Sequence, residues 1–409
     1  MIHKEDKKSF HVGRILLKAF LPVAFLLMIF FINFNGIFKF IEESKLAGVT
    51  NTVQSPKLSL ETYLNGEFQK NFDGYYHTNF PLRSNVIKFY SQLKYSLFKL
   101  SPNANIVRGN NDVLFEKSYI DEYLGIEPPA SDEYLSVLVD DIKTIERITT
   151  DAGKEFYLII TPSKADFYSD YIPDKFYKVA SVNGINTADT RNYNRFLKLL
   201  QNNNIKHFDA SNYLKDKRNE IGFPLYPRTG IHWNFATASY GVQGFINYIN
   251  STSSLNLKNY KIEGIKKDKK PFFEDDTDIY RIMNVTNGNM DEEYYAPKIK
   301  NIEKRDAFKP KVFLEGGSFC WQIMYFLYNQ QIVDKTDFLV YQLYFTHYNG
   351  EKITNTQANG NVTKDLLDQN LKDKDMVVLE VNQQAIATMG AGFPKVLRSY
   401  LEQYGFPTP

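Results

Sequence analysis

The chain has 409 residues, 43% of them hydrophobic and 15% aromatic, and its 49 Lys and Arg nearly balance 47 Asp and Glu. That length makes one large domain or two modest ones, and the absence of a basic stripe or nucleic-acid motif argues against a nucleic-acid partner. A single cysteine, Cys320, excludes an internal disulfide and a thiolate zinc cluster.

The first element is an uncharged run, Ala19 to Phe38, "AFLPVAFLLMIFFINFNGIF". Twenty helical residues at 1.5 Å rise reach about 30 Å, one hydrocarbon core. Lys4, Lys7, Lys8, Arg14 and Lys18 precede it; Lys39 and Lys45, offset by Glu42 and Glu43, follow it. The charge step predicts a cytoplasmic N-terminus (1–18), a membrane anchor (19–38) and an extracytoplasmic remainder. No small-x-small site follows the run, which argues against a cleaved signal peptide. Residues 39–100 read as an amphipathic helical juxtamembrane segment, with "NFPLRSNVIKFYSQLKYSLFKLS" at helical spacing.

From residue 101 to 409 the texture changes. Strands are expected at "EFYLIITPSK" (155–164), "IKHFDASNYL" (205–214, at its start), "KPKVFLEGGSF" (309–319), "DFLVYQLYF" (337–345) and "DMVVLEVN" (375–382). Helical patterns lie between them, so the expected fold is an α/β domain with a mostly parallel sheet flanked by helices. Reactive residues in such sheets gather at the carboxyl ends of strands. Residues 251–308 are polar, and "KKDKKPFFEDDTD" reads as a solvated loop.

Two stretches carry chemistry. In "KVFLEGGSFCWQIMYFLYNQ" an apolar strand runs into Gly316-Gly317, then Ser318, then a helix. Glycines permit a sharp turn there, and the helix N-terminus offers free N–H groups to an oxyanion. Ser318 is a nucleophile candidate, and as good a helix cap. In "YPRTGIHWNFATASYG" His232 precedes a helix beside Trp233. A serine hydroxyl needs a nearby base, and the other histidines beyond the apolar run, His77, His207 and His347, lie in packing, strand or turn contexts.

The order "TGIHWN", then "LEGGSF" about 85 residues later, resembles the AlgX/AlgJ-type SGNH hydrolase-like O-acetyltransferases of exopolysaccharide systems. There an Asp-x-His-Trp motif precedes a Gly-Asp-Ser-Phe motif. "NFPLRSNVI", "TPSKADFY", "IPDKF" and "VVLEVNQQAIATMGAGF" resemble further family blocks, over about residues 65–405.

The resemblance implies an SGNH-like fold and acetyl transfer to a polysaccharide, with Ser318 as nucleophile and His232 as base. It also implies a separate multipass membrane-bound O-acyltransferase as donor, and no metal or cofactor. The family's acid corresponds to Gly230, and the residue before its serine to Gly317. Three completions stay open: a carboxylate at a strand end, Glu380 or Asp209; a backbone carbonyl on Nδ1; or a noncatalytic scaffold. Esterase chemistry also stays open. The N–H groups of the Gly317-Ser318 turn, with Asn382 or Asn234 as an added donor, are the expected oxyanion set. Trp233 and Tyr325 are expected glycan contacts, and Lys164 an anion contact or a turn cap.

Overall fold

The computed structural model describes residues 3–48, 53–183, 190–286, 291–304, 306–348 and 353–407, with side chains of 3–19, 21 and 183 outside the description. The chain forms two compact units, residues 1–103 with 280–289, and residues 104–279 with 290–409.

The first unit begins with helix α1 (His3–Phe38), which contains the whole apolar run. Among the described residues no helix is long and apolar enough to cross a membrane. The anchor therefore rests on the sequence pattern alone, and the side chains of the expected cytoplasmic segment 1–18 lie outside the described residues. Helices α2 (Leu60–Leu64), α3 (Glu67–Asn79) and α4 (Arg83–Leu97) follow. Ser59 caps α2 in a capping box with Thr62, satisfying otherwise orphaned donors. Asn85 and Asn284 bind the backbone of Ser44 and Ala47, tying segments distant in sequence.

The second unit opens with a small hairpin, β1 (Ile106–Arg108) and β2 (Leu114–Glu116). Its main sheet uses β3 (Glu155–Thr161), β4 (His207–Asp209), β7 (Lys311–Gly316), β8 (Lys335–Val340), β9 (Tyr344–Tyr348), β10 (Ile353–Gln357) and β11 (Met376–Asn382). The order is β10-β9-β8-β7-β11-β3-β4. The five strands from β4 to β8 are parallel, and β9 and β10 turn antiparallel at the edge. A separate hairpin pairs β5 (Asn259–Asp268) with β6 (Tyr294–Ile302).

Side-chain alternation puts helices on both faces. Phe156, Leu158 and Ile160 of β3 pack in one core with residues of α6 (Asp132–Asp151), α9 (Asn192–Asn202) and α15 (Phe393–Tyr404). On the other face Tyr157 meets Phe245 and Tyr248 of α11 (Phe235–Thr252) edge-on. The mostly parallel, helix-flanked α/β sheet is the expected architecture.

Two expectations are corrected. "DFLVYQLYF" is not one strand: β8 ends at Val340, and Tyr341 and Gln342 both have positive φ (47° and 57°). Leu343 N–H donates to Val340 O at 2.8 Å, closing a turn. The stretch 266–278 is not simply a solvated loop either. It leaves the β5–β6 hairpin and buries Asp276 completely against the loop that carries His232.

Candidate active site

Strand β7 ends at Gly316 and helix α13 (Cys320–Asn329) begins four residues later, so Ser318 stands on the turn between them, partly exposed. His232 lies on the loop before α11, which Asn234 caps by accepting from Thr237 N–H at 2.8 Å. That loop is held from several sides. Lys164, fully buried, donates to the carbonyls of Pro227, Arg228 and Gly230 at 2.7, 3.2 and 2.6 Å. Three donors to three acceptors is what an ammonium group supplies, and burial pulls the Lys164 pKa down to about 7. Lys164 is thus a clamp on the histidine loop rather than an anion contact.

The structure brings Ser318 and His232 together and supplies the third member from an unexpected place. His232 Nε2 lies 2.7 Å from Ser318 Oγ, and His232 Nδ1 lies 2.7 Å from Asp278 Oδ2. With Nδ1–H donating to the carboxylate, Nε2 is left to accept the serine proton. The other Asp278 oxygen accepts from the N–H of Ile231 at 2.9 Å. One carboxylate therefore sets both the loop and the ring. Burial alone would lower the His232 pKa; the charge and hydrogen bond of Asp278, with Asp275 and Glu116 nearby, outweigh it and raise the value above that of an ordinary histidine. Glu116, whose own pKa burial and Asp278 raise, is a further acid that the sequence did not mark.

Glycine at position 230 has a steric reason. A Cβ at Gly230 would lie 2.5 Å from the carbonyl oxygen of Asp275 and 2.8 Å from that of Asp276. The segment that delivers Asp278 occupies the space a side chain at 230 would need. Asp276 itself accepts from Phe235 N–H, and burial pushes its pKa up to about 7.

Neither predicted acid reaches His232. Glu380 lies on the far side of the serine turn, where it accepts from Gly317 N–H at 2.8 Å and from the Thr161 hydroxyl. Asp209 caps α10 (Ala210–Ile221) through Asn212 N–H and accepts from the Tyr193 hydroxyl at 2.7 Å. Glu315 points to the opposite face of β7, toward Gly390, and is completely buried without a hydrogen-bond partner.

The oxyanion expectation changes in part: Ser318 N–H stays at the turn, and the other expected donors are engaged elsewhere. Gly317 N–H is engaged by Glu380. Asn382 donates to Thr161 Oγ1 and Pro162 O, at 3.2 and 2.9 Å, and Asn234 to Pro224 O, so neither amide faces Ser318. The Tyr341 hydroxyl stands beside Ser318 instead. Its hydroxyl accepts from Ser318 N–H at 2.9 Å and donates to Ser318 Oγ at 3.2 Å. A Cβ at Gly317 would press on this phenol at 3.0–3.3 Å, which accounts for glycine before the serine. Left-handed backbone at non-glycine residues costs on the order of 1–3 kcal/mol each. Here the turn is held by Gln342, which donates to the carbonyls of Gly390 and Ala391 at 2.8 and 2.9 Å. Strain thus sits where a phenol is placed over the Ser318 hydroxyl.

Of the expected glycan contacts, Trp233 is almost wholly buried (1% exposed) against Phe319 and is closed to any ligand. Tyr325 remains 37% exposed beside Phe235 and Phe273. Cys320 is buried next to Glu380, and burial raises its thiol pKa well above the ordinary value. Among the described residues no cluster of three or more His, Cys, Asp or Glu is arranged to hold a metal.

No protein-family model and no curated protein matches the sequence. The structure is similar to several solved ones. The O-acetyltransferase domain of Pseudomonas putida AlgJ aligns with a TM-score of 0.44 and 14% identity, over 72% of this chain and 99% of that one. Pseudomonas aeruginosa AlgX aligns at 0.41 and 14%, over 71% and 67%. Bacillus cereus PatB1 aligns at 0.41 and 16%, over 69% and 96%.

Proposed function

We propose that the protein is an extracytoplasmic O-acetyltransferase that moves acetyl groups onto a cell-surface or secreted polysaccharide through an acetyl-serine. The observation that carries the reading is the hydrogen-bonded chain Ser318–His232–Asp278, with both links at 2.7 Å. The motif order described above supplies the acyl group and the acceptor class.

In this mechanism His232 Nε2 takes the Ser318 proton as Oγ attacks the acetyl carbonyl. The new O–C bond forms while the carbonyl electrons move to oxygen, and Asp278 stabilises the imidazolium. Ser318 N–H and the Tyr341 hydroxyl now bond each other; an oxyanion between them would accept from both. Burial raises the Tyr341 pKa, so the phenol remains a donor at neutral pH. Collapse expels the donor's leaving group, which takes the proton from His232. A sugar hydroxyl then loses its proton to His232, attacks the acetyl-serine and leaves as the ester, returning the proton to Ser318. The apolar run 19–38 would anchor the chain with its N-terminus in the cytoplasm. A multipass acyltransferase would present the acetyl group.

Intact mass spectrometry of the full chain in detergent, incubated with an activated acetyl ester, tests the reading. The expected result is one acetyl adduct on the wild type and none on Ser318→Ala. Acetyl found on an added oligosaccharide marks a transferase; acetate alone marks an esterase. A folded wild type that takes up no acetyl defeats the proposal.

A further inference from the structure

Helix α4 of the first unit is packed the wrong way round for a water-facing helix. Val86, Phe89, Tyr90, Leu93 and Leu97 recur at the spacing of one helical face. In a globular protein that face would be buried. Here Phe89 is 71% exposed and Leu97 70%, with Val86 and Tyr90 exposed beside them, while the buried residues of the helix are Ser91 and Tyr95. Phe98 and Leu100 carry the exposed apolar surface past the end of the helix.

Two further observations say what covers this face. The first is continuity with the apolar run 19–38, which lies in the same unit. The Tyr76 hydroxyl donates to Asn33 Oδ1 at 3.3 Å, and Pro81 packs so closely on Gly36 that a Cβ there would lie 2.6 Å from its ring. The first turn of α4 is bonded to the residues just after the run: Glu43 accepts from Ser84 N–H at 3.3 Å, and Asn85 accepts from Ser44 N–H at 2.9 Å. Phe68, Phe72, Tyr76 and Phe80 stack in series along α3, with centroids 5.7–6.2 Å apart, toward the same end of the run. Aromatic side chains gather in this way where a membrane helix leaves the hydrocarbon.

The second observation is charge. From Gly74 to Asn111 the chain contains Arg83, Lys88, Lys94, Lys99 and Arg108 and no Asp or Glu. Lys94 flanks the apolar stripe with its ammonium 5.1 Å from the centre of the Tyr90 ring. A basic amphipathic helix whose apolar face is open matches a bilayer surface, where acyl chains take the stripe and anionic headgroups take the lysines.

We infer that α4 is a second membrane contact, lying in the interface of an anionic bilayer at the outer end of the anchor. The inference rests on the membrane anchor proposed above. A span alone would leave the rest of the chain on a tether; a span with an interfacial helix fixes the first unit against the lipid surface.

The test places the full chain in vesicles of phosphatidylcholine and phosphatidylglycerol, some carrying a nitroxide on the acyl chain. An environment-sensitive fluorophore is attached at Phe89→Cys, Leu97→Cys or Phe31→Cys, one site at a time; the native Cys320 is buried. The nitroxide is expected to quench the label at all three positions. Each basic group near an anionic surface is worth about fivefold in binding, so Lys94→Glu with Lys99→Glu should weaken the α4 contact about tenfold or more and release the quenching at 89 and 97. The label at 31 should not change. Quenching at 31 but not at 89 and 97 would keep the anchor and overturn the inference. Quenching at 89 and 97 but not at 31 would remove the anchor and keep α4 as the lipid contact. Quenching as strong in phosphatidylcholine alone, or a disulfide-linked dimer through unlabelled Phe89→Cys without quenching of the labelled form, would overturn the assignment to an anionic bilayer.

Discussion

Among the described residues two hydroxyl–histidine–aspartate chains stand out. In one, Ser318, His232 and Asp278 are linked at 2.7 and 2.7 Å. In the other, Thr356 Oγ1 lies 3.0 Å from His347 Nε2, and His347 Nδ1 lies 2.7 Å from Asp337 Oδ1. Measured by distances the two are close; their surroundings are not. Ser318 stands on a strand-to-helix turn with its own N–H and a phenol beside the hydroxyl. Thr356 lies on β10, the outermost strand, exposed, with β9 as its strand partner. Asp278 serves His232 and its loop. Asp337 is shared with the buried Lys374 at 2.7 Å and with Lys335 at 3.5 Å. A proton relay becomes an active site only where preorganised donors meet the charge that develops.

The largest effect that separates the two chains falls on Asp278. Asp278→Asn keeps the shape but lets the histidine adopt the wrong tautomer; in a serine protease the same change lowers kcat by about 10⁴-fold. A loss of that order in the rate of acetyl uptake is expected, by stopped-flow or quenched mass spectrometry. The pH profile sharpens the assignment. His232 must be neutral to act as base. Because Asp278 raises its pKa, uptake should fall as pH drops through a value above about 6.5. Removing the carboxylate should move that limb to lower pH. A limb unmoved in Asp278→Asn would mean that another group controls the base.

The second effect falls on stability rather than chemistry. Asp337→Asn leaves Lys374, whose side chain is 0% exposed, with Asp373 as its remaining anionic partner. Breaking a buried ion pair costs about 3–5 kcal/mol, and the neighbour Asp373 places the expected value at the low end. A melting temperature lower by on the order of 5–10 °C follows, with acetyl uptake by the folded protein unchanged. Burial would raise the Asp337 pKa, but His347, Lys374 and Lys335 together hold it below the usual carboxylate range. The stability it contributes is full above its unfolded pKa of about 3.9 and is lost as pH falls through the lower folded value. Acid unfolding of Asp337→Asn should lack that component.

How far the sequence reveals this site depends on how local each signal is. Ser318 and His232 are legible because each sits in a short pattern, a strand meeting glycines and a histidine preceding a helix. The parallel sheet is legible because its buried strands are continuous apolar runs. Asp278 is not, because "EDDTDIY" has the composition of a solvated turn. Its place beside His232 follows from the absence of a side chain at Gly230, a tertiary fit that no local pattern encodes. Glu380 sits near a strand end, as the reading of the fold required. It is spent on Gly317 N–H, behind Ser318 rather than beside His232. Tyr341 is hidden for another reason. "DFLVYQLYF" has no Gly, Asn or Pro to announce a turn, and the bend is enforced by Gln342 reaching the carbonyls at 390 and 391.

The smallest expected effect tests the contrast most sharply. Thr356→Ala removes an exposed hydroxyl and one hydrogen bond at the sheet edge. Its cost should stay within about 0.5 kcal/mol, and acetyl uptake should not change. Thr356→Ser goes further, because it gives His347 and Asp337 a primary hydroxyl, the same chemical group as at Ser318. In a Ser318→Ala background this substitution should still take up no acetyl at position 356, read by peptide mapping of the chain after exposure to the ester. The imidazole and the carboxylate would be in place, and the hydroxyl would be nearer in kind to a nucleophile. What would be missing is an N–H group and a phenol converging on the oxyanion. An acetyl group on residue 356 would show that distance and a carboxylate suffice. Its absence would assign the difference between the two chains to the turn at Gly317 and to Tyr341.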